Sequence, residues 1–141
     1  MALALVIVGD AELVFEARLS GAFEEQAHVH QFIMHSALDL VSEKAMASSD
    51  MFLGVIDEFN EFLVHAWLAA DGARFLLLHK KPEPEVGRKN RSQDSIASFF
   101  EGVNELYTKV ALNPFYKVDQ KITSPSFARR VAALAEKWKL K

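Results

Sequence analysis

The sequence contains no cysteine. That absence excludes disulfides, thiolate nucleophiles and Cys-ligated zinc, removes the usual framework of a small secreted domain, and fits a reducing compartment. Glycine is sparse as well, with six residues at positions 9, 21, 54, 72, 87 and 102. Their spacing and context supply neither a dinucleotide-binding glycine loop nor a phosphate loop. No Gly-x-Ser-x-Gly elbow occurs, so there is no local sign of a serine nucleophile. No apolar run approaches the ~20 residues that cross a bilayer as a helix; the longest are broken by Asp10, Glu61 or His65. The apolar start, Ala2 to Val8, has no basic flank and runs straight into Gly9 and Asp10, which makes it a strand and not a signal peptide. A surplus of positive charge is also missing. Sixteen Lys and Arg against nineteen Asp and Glu leave a net charge of -3, which gives no global attraction to nucleic-acid phosphates.

What is present is apolar. Half of the 141 residues are hydrophobic and 11% are aromatic, eleven of them Phe. That is the profile of a packed core and not of a disordered chain. The length is that of one domain, here residues 1–141, able to bury roughly two thirds of its unfolded surface.

The chain opens with two β-rich runs, Leu3 to Val8 and Glu12 to Leu19, joined by the short connection Gly9-Asp10-Ala11, which predicts a hairpin. From Glu25 to Met46 there is no Pro or Gly and the period turns helical. Met51 to Phe59, Phe62 to Ala69 and Ala73 to His79 read as a three-strand meander, with Gly72 in the last turn where a positive φ is easiest. Phe62-Leu63-Val64 and Phe75-Leu76-Leu77-Leu78 are apolar at consecutive positions, so both faces of those strands need cover and helices are expected on both sides of the sheet. Lys80 to Ser92, with two Pro, one Gly and seven charged residues, reads as a mobile surface loop. A second helix is expected from Gln93 to Ala111, with Ile96, Phe99, Phe100, Val103, Leu106, Tyr107 and Val110 on an arc of roughly 120°. Asn113-Pro114 ends it. Ser124 caps a last helix with Pro125 in its first turn and Phe127, Val131, Leu134 and Trp138 along one side. The order is ββαβββαα, an α/β (α+β) fold.

Three constellations invite a chemical reading. His28, His35 and Asp39 fall within roughly 40° of one another on the first helix, a spacing that can converge on a metal; the competing reading is a surface hydrogen bond between His35 and Asp39 with His28 in the first turn. Arg88, Lys89 and Arg91, with Lys80 and Lys81, could meet anionic lipid or an acidic partner, or form a solvated loop. Asn113-Pro114-Phe115 matches a short peptide signal read by some endocytic adaptor domains; the competing reading is a Phe buried after a helix-ending proline.

The first helix is the more informative feature. Val29, Ile33, Met34, Ala37, Leu38, Leu40, Val41 and Ala45 fill an arc of roughly 180°, wider than a sheet requires. Phe32 lies beyond that arc beside His35, Ser36 and Asp39, an aromatic with a polar fringe of the kind found in partner-binding patches. The alternative is that Phe32 folds back on the sheet edge.

Taken together, Val6-Ile7-Val8-Gly9, Val14-Phe15-Glu16, Gln31-Phe32-Ile33-Met34-His35, Ala37-Leu38-Asp39-Leu40-Val41, Phe59-Asn60-Glu61, Arg74-Phe75 with Leu78-His79, and Asn113-Pro114-Phe115-Tyr116 closely resemble the sedlin family. This is the family of subunit 2 of the transport protein particle, the tethering complex shortened to TRAPP. The resemblance runs in register from residue 5 to about residue 140 and includes Ser126-Phe127 and Arg130-Val131. The Phe-Asn-Glu and Val-Phe-Glu stretches favour sedlin over its sedlin-like relative.

The resemblance implies a longin-like, SNARE-like fold, a five-stranded antiparallel sheet with the first helix on one face and the last two on the other. It implies a non-enzymatic adaptor in vesicle tethering between endoplasmic reticulum and Golgi, with no cofactor, no metal and no catalytic residue. Partners would be other TRAPP subunits, indirectly a Rab-type GTPase, and SNARE proteins, with a cytoplasmic, peripheral location at the Golgi. The family ties the aspartate of the Leu-Asp-Leu-Val stretch to contacts with neighbouring subunits, and that position is Asp39; Phe32, His35 and Ser36 join it through the helical projection. Lys80 to Ser92 departs from the family, where the connection is shorter. A longin-type regulator of SNARE-mediated fusion is the alternative; it normally carries a following coiled coil or anchor, and the sequence shows neither heptads nor a C-terminal lipidation Cys.

Overall fold

A computed structural model describes residues 2–9, 13–18, 27–47, 50–59, 62–80, 89–117 and 120–138, with side chains at 35–46 in the first helix and from 95 onward in the second. The elements are β1 (Ala2–Val8), β2 (Leu13–Arg18), α1 (Ala27–Ala47), β3 (Phe52–Phe59), β4 (Phe62–Leu68), β5 (Arg74–Lys80), α2 (Lys89–Ala111) and α3 (Pro125–Lys137). The ββαβββαα order is the one the sequence predicts.

All strand pairs are antiparallel and the sheet order is β2-β1-β5-β4-β3. The hairpin β1–β2 therefore docks on β5, the last strand of the meander. Leu5 stands opposite Leu77 and Ala17, and Val6 opposite Leu76 and Glu16. The consecutive apolar run of β5 is explained by its central place. Phe75 and Leu77 point to one core, Leu76 and Leu78 to the other, and all four are fully buried.

The larger core lies under α2 and α3. It joins Leu5, Ile7, Phe15, Phe75 and Leu77 of the sheet to Ile96, Phe99, Phe100 and Val103 of α2 and Phe127, Val131 and Ala135 of α3. Phe15 meets Phe127 edge to face with ring centres 4.7 Å apart, and Phe100 stacks on Trp67 at 6.2 Å. These offset and T-shaped pairings suit the ring quadrupoles. The smaller core on the opposite face takes Val6, Val64, Ala66, Leu76 and Leu78 against Ala37 and Val41 of α1. A two-faced sheet with one helix on one side and two on the other is the α+β, longin-like arrangement.

Local chemistry fixes the connections. Gly72 adopts φ 91°, and its N–H donates to the Ala69 carbonyl at 3.0 Å while Ala73 N–H donates to Asp71 Oδ1 at 3.0 Å. Ser124 Oγ accepts from Phe127 N–H at 3.4 Å, capping α3 with Pro125 in the first turn as predicted. Ile122 N–H donates to the Val14 carbonyl at 2.8 Å, laying the segment before α3 along the outer strand β2. On the other rim, β3 carries two register shifts and Gly54 at φ 74°. Lys44 Nζ donates to the Val55 carbonyl of that rim at 2.8 Å.

Two expectations need correction. α2 starts at Lys89 and not at Gln93, so Lys89–Ser92 are helical and the connection after β5 is shorter than Lys80 to Ser92. No Pro or Gly follows Gly87 until Gly102, and a polar turn can extend a helix outward before its apolar stripe begins. Residues 81–88, including Arg88 and Lys81 of the basic cluster, lie outside the described residues. The second correction is Phe115, which is 88% exposed and not buried.

Candidate partner-binding surface on the first helix

α1 is held by one side. Ala37 and Val41, one turn apart, are buried in the core beneath the helix, and Leu38 packs beside them half-buried. Lys44 adds the bond to Val55. Leu40 and Ala45 are also only half-buried, so the wide apolar arc read from the sequence is wider than the sheet covers.

The opposite side carries His35, Ser36 and Asp39, all exposed. At about 100° per residue, His35, Asp39, Ser42 and Met46 fall in one line along the helix, with Ser36 and Glu43 beside them. Ser42, Glu43 and Met46 are exposed as well, and Met46 is 91% so. The structure thus places three of the four predicted residues on one open stripe. The backbone of Phe32 belongs to α1, and its side chain lies outside the described residues. Met46, Ser42 and Glu43 were missed. The signal for Ser42 and Glu43 was their i+3 and i+4 spacing from Asp39, and for Met46 its i+7 spacing, two turns on along the same line, hidden because Met46 reads as the last apolar residue of the helix.

The stripe offers two carboxylates, two hydroxyls, an imidazole and a thioether on a rigid support. Methionine adapts to irregular partner surfaces, and a charge at the rim orients a partner of opposite sign. Among the described residues, no cluster of three or more His, Asp or Glu side chains could hold a metal; the side chain of His28 lies outside them. No helix of the described residues is long and apolar enough to cross a membrane.

The model of the sedlin family matches residues 7–137. The chain belongs to the sedlin family. Among its sedlin-family relatives is a probable trafficking protein particle complex subunit 2 of Caenorhabditis elegans, 36% identical over 82% of this chain and 75% of the relative. A transport protein particle 20 kDa subunit of Schizosaccharomyces pombe is 35% identical over 79% of this chain and 76% of its own length. A probable subunit 2 of Drosophila melanogaster is 33% identical, covering 83% and 78%. The sedlin resemblance read from the motifs is confirmed over nearly the whole chain.

Proposed function

We propose that this chain is an adaptor subunit of the TRAPP vesicle-tethering complex, acting in transport between endoplasmic reticulum and Golgi through protein contacts and not through catalysis. The observation that carries the reading is the sedlin-family match over residues 7–137, with relatives named as subunits of the trafficking particle.

In this reading the α1 stripe is the docking face, with Asp39 at its centre, His35 and Ser36 beside it, and Phe32 added by its place on the helix. Because the buried side of α1 is pinned by Ala37 and Val41, the stripe is presented without an ordering cost, which leaves more of the contact energy as affinity. Met46 supplies an apolar anchor two turns along the helix from Asp39. Contact with a Rab-type GTPase would be indirect, through other subunits, SNARE proteins would be reached in the same assembled state, and the location would be cytoplasmic and peripheral at the Golgi.

The test is purification of the tagged chain at native expression with identification of what accompanies it, for the wild type and for Asp39→Lys. The wild type is expected to bring other subunits of the particle. The variant, which reverses an exposed charge, is expected to recover at least one of them tenfold less while keeping the wild-type melting temperature. Recovery of the wild type alone, as a monomer, overturns the reading.

A further inference from the structure

The connection from α2 to α3 holds two large apolar side chains in water. Leu112 is 77% exposed and Phe115 is 88% exposed, and no other aromatic whose side chain is described is as open. A single exposed leucine needs no explanation. A phenyl ring on a stitched backbone does. Asn113 Oδ1 accepts from the N–H of Phe115 at 3.0 Å, and the Asn113 carbonyl accepts from the N–H of Tyr116 at 2.9 Å. Pro114 fixes φ between them. Beyond the turn, the Tyr116 hydroxyl donates to the Gln120 carbonyl at 3.0 Å and Lys117 N–H donates to Gln120 Oε1 at 3.0 Å. Every one of these bonds orders the main chain, and none of them uses or shelters the ring of Phe115.

The fold gains no burial from Phe115, yet presents it on a turn whose conformation is set in advance. A ligand ordered before binding keeps affinity that a flexible peptide would lose to entropy. The segment around the turn carries a surplus of positive charge. Between Tyr107 and Arg130 the sequence has Lys109, Lys117, Lys121, Arg129 and Arg130 against the single carboxylate Asp119, in a chain whose net charge is -3. All five cations are exposed. Lys109, Lys121 and Arg130 line a cavity of about 440 Å³ next to Asn113 and Tyr116.

We propose that Asn113-Pro114-Phe115-Tyr116 is a preformed docking turn for a protein domain that reads Asn-Pro-Phe peptides, with an apolar pocket sized for one phenyl ring and an acidic rim. The turn follows α2, on the sheet face opposite α1, so its occupant need not compete with a partner on the Asp39 stripe. A second copy of this chain is the poorer occupant, because a self-complementary contact would bring these cations against their own copies. A lipid surface is poorer too, because it needs apolar area and charge but no fixed turn.

The test is calorimetric titration of the full chain with an isolated adaptor domain that binds free Asn-Pro-Phe peptides. The wild type is expected to bind one domain with a Kd on the order of micromolar to tens of micromolar, weakened by salt and displaced by a free Asn-Pro-Phe peptide. Phe115→Ala is expected to weaken binding at least tenfold with an unchanged melting temperature, since the ring contributes no core contact. Asn113→Ala is expected to weaken it less, by loosening the turn. Absence of wild-type binding, or equal binding by Phe115→Ala, overturns the proposal. So does a Phe115-dependent self-association in sedimentation, or Phe115-dependent binding to vesicles of mixed phosphatidylserine and phosphatidylcholine without binding to the domain. None of these readouts depends on Asp39, so the tethering role and the docking turn fail separately.

Discussion

Tyr107 donates its hydroxyl to Asp71 Oδ2 at 2.7 Å, tying the C-terminal part of α2 to the β4–β5 turn. The same ring meets Phe75 edge to face at 5.5 Å. One side chain thus registers the helix against both the central strand and the turn that precedes it. Tyr107→Phe removes the hydroxyl and keeps the ring. A loss of about 1–2 kcal/mol is expected for a partly buried bond to a carboxylate, seen as a melting temperature lower by about 3–6 °C. A double mutant with Asp71→Ala should cost less than the two single changes added, and full additivity would show that the bond contributes nothing.

His65 is 2% exposed, with a buried Nδ1 lacking a hydrogen bond, and its ring stands 6.0 Å from that of His79. Burial lowers its pKa from 6.5 to about 4. The unfolded chain therefore binds a proton at His65 in a window where the folded chain does not. Stability is complete above about pH 6.5 and is lost as pH falls towards 4, by up to about 3 kcal/mol from this residue. Denaturant titrations of the wild type and His65→Phe between pH 7 and 4 check it. The variant should show the shallower fall, and parallel curves would refute the assignment.

Phe100 is fully buried, stacks on Trp67 and meets Phe52 with ring centres 6.0 Å apart. Phe100→Ala leaves a ring-sized void between α2 and the sheet, so a loss of about 3–5 kcal/mol is expected. Chemical denaturation measures it. A loss below about 1 kcal/mol would mean that the helix does not pack where the structure places it.

Gly72 stands at φ 91° with open space around the position of an added Cβ. Gly72→Ala therefore tests backbone strain without a clash. A loss of about 1 kcal/mol is expected, measured by the shift in denaturation midpoint at an unchanged slope.

The layers were legible in the sequence because burial writes itself into residue order. Phe75-Leu76-Leu77-Leu78 reads as a strand covered on both faces, and Ser124-Pro125 reads as the opening of a helix. What escaped depends on groups distant in sequence or silent in hydropathy. Lys89–Ser92 are polar and extend α2 without adding to its stripe. His65 interrupts an apolar run in the sequence, yet it is as buried as its neighbours. The pairing of Ile122 with Val14 spans the chain and leaves no periodic trace. The exposure of Phe115 leaves no trace either, because hydropathy carries no information about an Asn side chain that bonds forward into the turn. On α1, the exposed positions of His35, Ser36 and Asp39 followed from the helical period, whereas Met46 did not.

The two rims of the sheet have a consequence for how large an assembly can grow. On β2 a carbonyl is already taken by Ile122, and on β3 the shifted register, Gly54 and the ammonium of Lys44 break the row of free donors and acceptors. Such rims make poor templates for another chain's strand. Neighbours are left with helix faces and turns, which are discrete and saturable. Growth by adding one chain's strand to another's is therefore blocked at the level of the backbone.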